Sequence, residues 1–118
     1  MGLNTEYPFT LPKGFVDDDG QLHRQGIMRL ATARDEIEPL RDPRVKDNEA
    51  YATVVVLAKV VTELGSLRVI TTATIEKMFA SDYRYLQDFY RVINFGDPSI
   101  LESMEPGTPF PEEAAAVG

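Results

Sequence analysis

The stretch Asn48 to Leu64, NEAYATVVVLAKVVTEL, constrains the fold more than any other part of the chain. Apolar side chains recur at helical spacing at Tyr51, Val54, Val55, Ala58 and Val61, and Val56, Leu57, Val60 and Leu64 cover most of the remaining surface. A helix that is apolar nearly all round belongs in the middle of a fold. Asn48 suits the N-cap, Glu49 the first turn, and Gly65 the position just past the end. The run Val54 to Val56 favours a strand on propensity alone. Length and the two flanking cap signals favour a helix instead. A membrane span is not expected, because the apolar run is short and Lys59 and Glu63 interrupt it. The expectation is a central buried helix over 48–64.

The 118 residues suit one small domain, large enough to bury a working core without disulfides or metals. Cysteine is absent, which removes disulfides, zinc-thiolate sites and thiol nucleophiles. No basic, apolar, cleavable segment opens the sequence, so a cytoplasmic protein is expected. Twelve Lys and Arg face nineteen Asp and Glu, for a net charge of −7. That balance repels a phosphate backbone, so nucleic acid is not an expected partner. The acids are scattered and form no rows, which disfavours a DNA mimic.

Upstream of the central stretch, Phe9, Leu11 and Phe15, then Leu22, Ile27, Met28 and Leu30, flank the acidic turn Asp17-Asp18-Asp19-Gly20. This is a β-hairpin pattern, with Asp19-Gly20 tolerating positive φ. Pro8 and Pro12 cannot donate to a ladder, so the first strand is expected at an edge or interrupted. Gly14 and Gly26 are candidate bulges. Thr32 reads as an N-cap with Asp35 and Glu36 in the first turn and Ile37 and Leu40 facing the core. The segment RDPRVKD, 41–47, reads as a polar loop. After Gly65, an extended connector buries Leu67 and Ile70, and Thr71 or Thr72 caps a short helix with Ile75, Met78 and Phe79 inward. Ser81 begins a last helix with an apolar stripe at Tyr83, Leu86, Phe89, Tyr90 and Ile93, with Asp82 favourably in its first turn. The fold class is therefore α+β: an N-terminal hairpin followed by about four helices, one domain over 1–95.

Beyond Gly96, Pro98, Pro106, Pro109 and Pro111 with acidic residues describe a tail without its own core, 96–118. Ile100, Leu101, Met104 and Phe110 are apolar within it. Two readings stay open: a loose end, or a segment that grips a partner through those four anchors.

Catalytic chemistry finds little support. His23 is the single histidine and reads as a surface or packing residue, so neither a catalytic triad nor a histidine-rich metal site can be assembled. The acidic turn fails as an EF-hand loop, because the first and last ligand positions fall on Phe15 and Gly26. No Walker-type loop and no GxGxxG occur. No enzyme activity, cofactor or metal is expected.

Four pieces, FTLPKGFVDDDGQLHRQGIMRLATARDEI, PLRDPRV, VVVLAKVVTELGSL and IEKMFASDYRYLQDFYRVIN, together resemble tail assembly chaperones of contractile phages and the related small baseplate assembly proteins of the T4 type. Similar proteins accompany extracellular contractile injection systems. The resemblance covers about Phe9 to Asn94 and includes no catalytic motif. It implies a strand pair stepping through RLAT into helices, with Arg29, Thr32 and Asp35 on an R-x-x-T-x-x-D pattern and Asp82 as the acid before the last helix. It also implies protein–protein work with tail tube, tape-measure or baseplate proteins, without a membrane. The chain lacks the extension of longer members, which leaves room for a permanent baseplate or cap subunit. An acidic regulatory binding module is the alternative of another class. A hairpin edge could add to a partner sheet or to a second copy, giving a homo-oligomer.

Overall fold

The computed structural model describes residues 3–96 together with 100 and 101. The chain is α+β. Strands β1 (Glu6–Val16) and β2 (Leu22–Arg29) form the hairpin. Helices α1 (Ala33–Ile37) and α2 (Pro43–Asp47) follow, joined by a 3-10 turn over Glu38–Arg41. Then come α3 (Tyr51–Val60), strand β3 (Val61–Leu64), α4 (Thr72–Glu76) and α5 (Ala80–Phe95). The sheet is antiparallel in the order β1-β2-β3.

The hairpin forms where the sequence asks for it. Asp17 accepts the backbone N–H groups of Asp19 and Gln21 at 2.8 and 2.9 Å, and Gly20 sits at φ +83°. His23 is buried, with Nε2 2.7 Å from Asp17 Oδ2, and so fastens the turn to the sheet. Between Thr10 and Phe15 the register breaks: Thr10 faces Gln25 and Phe15 faces His23, so Leu11 to Gly14 lie opposite Arg24 alone. Gly14 takes φ +106° in this bulge. Gly26, by contrast, is no bulge. It pairs with Phe9 and Leu64 where neighbouring groups press close on both sides.

The central stretch divides into two elements. Residues 51–60 are helical, but Val61–Leu64 pairs with β2, Gly26 facing Leu64 and Met28 facing Val61. A helix over the whole of 48–64 is therefore corrected. The β-branched Val60-Val61-Thr62 run yields to a ladder offered by β2, with Val61 and Leu64 buried and Thr62 and Glu63 turned away. Asn48 does not cap α3; it closes α2, and its carboxamide accepts Ala50 N–H. Gly65, at φ +58°, ends a strand rather than a helix.

Other local expectations also change. The polar segment 41–47 contains α2, with Asp42 as N-cap and Pro43 in the first turn. Pro39 is buried in place of Ile37 and Leu40, which are exposed. Met78 and Ile75 are buried, but Phe79 precedes α5 as its N-cap and is exposed. The Thr32 cap forms as expected, as a capping box with Asp35.

One core joins these elements. Phe9, Leu11, Phe15 and Met28 of the hairpin meet Leu57 and Val60 of α3 and Leu86, Phe89 and Ile93 of α5. Phe9 and Phe89 pack edge to face with centroids 5.7 Å apart.

Candidate partner-binding surface

The edges of a sheet come first, because strand addition needs free donors. Leu30 donates to the Thr5 carbonyl, which sets the alternation: Glu6, Pro8 and Thr10 turn their backbone groups away from β2. The Glu6 N–H goes to Asn4 Oδ1. Pro8 and Pro12 have no N–H to give. The Thr10 backbone bonds the Tyr85 hydroxyl. Lys13 and Gly14 donate to the two oxygens of Asp82 at 2.8 and 2.9 Å. From Glu6 to Gly14 these outward donors of β1 are thus absent or taken, and Val16, beside the turn, also faces outward. The opposite edge is short, and there Leu64 and Leu67 exchange backbone hydrogen bonds of 3.0 and 2.9 Å. The geometry argues against the hairpin edge as a docking strand.

Asp82, expected only as a favourable acid in the first turn of the last helix, has a second role. It is fully buried and joins α5 to the bulge of β1. Arg24 serves the other side of the bulge: Nε donates to Leu11 O at 3.0 Å and a terminal nitrogen to Pro12 O at 3.3 Å. Amides go to the acid and carbonyls to the base, so these four backbone groups of the kink are paired.

The Arg29, Thr32 and Asp35 set is brought together at the step from sheet to helix. Arg29 pairs both terminal nitrogens with Asp35 at 2.7 and 3.0 Å, and Asp35 also accepts Thr32 N–H at 2.8 Å. The Arg29 contact, with the Thr32 hydrogen bonds, holds the Asp35 carboxyl well below the usual range. Asn94, near the end of α5, accepts Ala31 N–H at 2.9 Å and pins the same step. This is an anchor for the fold, and it positions the next feature.

Between α3 and α5 runs a groove of about 340 Å³. Ala52, Thr53 and Val56 form one wall, Gln87, Tyr90 and Arg91 the other, and buried Leu57 lies at the floor. These spacings put each triplet on one helical face. Glu36 of α1 closes one end and accepts a hydrogen bond from the Tyr90 hydroxyl. Burial, then Glu36, pushes the Tyr90 hydroxyl above its ordinary value. Arg91 is held by Asp88, which is buried and also pairs with Arg84. Phe95, one turn on, packs edge to face on Tyr90 and is itself exposed. An apolar floor with a few fixed polar groups at the rim suits an apolar peptide side chain. The apolar-all-round character of α3 pointed to full coverage; its own domain covers only part of it.

Of the expected anchors, Ile100 is 37% exposed, while Leu101 packs against the core. Met104 and Phe110 lie outside the described residues. Among the described residues, no cluster of three or more His or acidic groups is placed to hold a metal, and no helix is long and apolar enough to cross a membrane.

Fold and surface together define an α+β domain with its first strand blocked over most of its outer edge and an open helical groove. No family model, no curated protein and no solved structure compared with the chain matches it.

Proposed function

We propose that the chain is a non-enzymatic assembly or structural component of a phage-tail-like contractile injection system, acting by protein–protein binding in the cytoplasm or within the particle. The observation that carries this reading is the groove between α3 and α5, an apolar slot on the most apolar helix among the described residues. The order of segments resembling tail assembly chaperones supplies the system; the groove supplies a means of gripping a tail tube, tape-measure or baseplate protein. With most of the outer edge of β1 blocked, a helix or extended segment of the partner lying in the groove is favoured over strand addition.

Affinity capture from cells expressing the neighbouring tail genes tests it. Recovery of a tube, tape-measure or baseplate protein is expected, and recovery of none contradicts the proposal. Mass spectrometry of purified particles separates a permanent baseplate or cap subunit from a transient chaperone.

The alternative of an acidic regulatory module expects carboxylates clustered on one face. Five of the described acids, on different elements, instead stand in ion pairs: Asp35 with Arg29, Asp42 with Arg44, Glu38 with Lys59, Glu63 with Arg68, and Asp88 with two arginines. That pattern favours the assembly reading.

A further inference from the structure

A hole and a knob stand side by side on α5. The hole is the slot between α3 and α5, floored by buried Leu57 and walled in part by Tyr90. The knob is Phe95, whose ring packs edge to face on Tyr90 with centroids 6.2 Å apart and is still 70% exposed. Apolar surface thus faces water on both, and one phenylalanine ring carries about 150–250 Å² to bury. The charges around them balance. Glu36, Arg84, Asp88 and Arg91, at and beside the slot, are two acids and two bases, in a chain whose net charge is −7. A patch of one sign repels its own copy. A patch with both signs can match itself, because a two-fold axis sets residue i of one copy against j of the other and j against i. Glu36 is exposed at one end of the slot, and Arg91, its side chain 62% exposed, stands on the α5 wall. Self-association through the sheet is the poorer route, since Asn4 and Asp82 occupy outward donors of β1.

We propose that two copies of the chain pair about a two-fold axis across α5, each Phe95 entering the slot of the other copy. The ring lies over Leu57 and against Val56, and each Arg91 approaches Glu36 of the other copy. The contact is small. Two rings and the walls they touch fall at or below the low end of the ~1,200–2,000 Å² that stable complexes bury. The dimer is therefore weak, with a dissociation constant on the order of 10–100 µM. It forms in concentrated protein and parts on dilution. A tail protein entering the slot competes with the second copy for the same surface. That competition rests on the binding function above; the pairing itself does not.

Sedimentation equilibrium of the 118-residue chain tests the pairing. The apparent mass should climb from 13.2 kDa toward twice that value as the concentration rises to about 1 mM. Phe95→Ser, at an exposed position outside the core, should weaken the dimer about tenfold or more. A parent that stays monomeric throughout overturns the proposal, and so does a dimer that Phe95→Ser leaves equally tight. A second measurement locates the contact. The parent has no cysteine and is silent to thiol reagents, so it can serve as the protecting copy. Labelling of Thr53→Cys, on the slot wall, should slow about threefold when parent chain is added at about twice its dissociation constant. The Phe95→Ser chain should protect far less, and Val69→Cys, exposed and outside the slot, should be slowed by neither. Equal protection of Thr53→Cys by both chains, or none by either, contradicts the pairing. Neither measurement involves a tail protein, so failure here is distinct from failure of affinity capture.

Discussion

Asp82, in the first turn of the last helix, accepts the backbone N–H of Gly14 at 2.9 Å across 68 residues of sequence. Its other oxygen takes Lys13 N–H at 2.8 Å. Removing the carboxylate leaves the buried Gly14 donor and the part-buried Lys13 donor unpaired, at about 1–3 kcal/mol for a buried donor. Asp82→Ala should therefore lower stability by about 3 kcal/mol, and the melting temperature by about 10–20 °C for a domain this size. Asp82→Asn, which retains one acceptor oxygen, should lose about half as much. Thermal unfolding of the three proteins checks this; an Asp82→Ala protein as stable as the parent would remove the clamp from the account.

Gly26 stands where β2 is squeezed between its neighbours. A Cβ there would lie 2.5 Å from the Glu63 carbonyl oxygen and 2.5 Å from the Phe9 ring. Backbone cannot retreat as a flexible side chain can, and Phe9 is wedged against Phe89. Gly26→Ala should cost about 3 kcal/mol or more through overpacking at the β2–β3 ladder. Gly20→Ala meets no atom within 4 Å and should cost only about 1 kcal/mol, for its positive φ. Denaturant midpoints of the two variants give the comparison.

The Arg29–Asp35 pair predicts a direction in pH. The folded Asp35 carboxyl lies below its ordinary 3.8, chiefly through the Arg29 hydrogen bonds. A depressed folded value means the unfolded state binds the proton first as pH falls. The stabilisation from Asp35 is thus complete above about pH 4 and is lost progressively below it. Asp42, held at about 2 by Arg44, and Asp17, lowered chiefly by its hydrogen bond with His23, titrate in the same window. Asp35→Asn isolates the one contribution: its urea midpoint should fall less than the parent's between about pH 6 and pH 3. Parallel curves would contradict the assignment.

What the sequence revealed follows how local each signal is. The hairpin, the Thr32 cap and the stripe of α5 depend on residues within a few positions of one another, and all three form. Val61–Leu64 could not be read as a strand, because its conformation comes from β2, about 35 residues earlier. Ile37 and Leu40 belong to a five-residue helix and a four-residue turn, too short for periodicity to define a face. The Asp82 clamp left only an acid near a helix start, a signal equally explained by the helix dipole. The groove was half legible: the apolar α3 was evident, but its incomplete coverage depends on how α1 and α5 pack around it.

The central proposal is that this domain binds tail proteins through the α3–α5 groove rather than through its sheet. Val56 is half-buried on the groove wall, so Val56→Glu places a charge there without opening the core. The most direct measurement is the amount of tube, tape-measure and baseplate protein captured by the tagged chain and by its Val56→Glu variant from the same cells. The account predicts recovery with the parent and about a tenfold loss with the variant, since one misplaced charge in an apolar contact costs about 1.4 kcal/mol or more. Equal capture by both proteins, or capture of no tail protein by either, would contradict it.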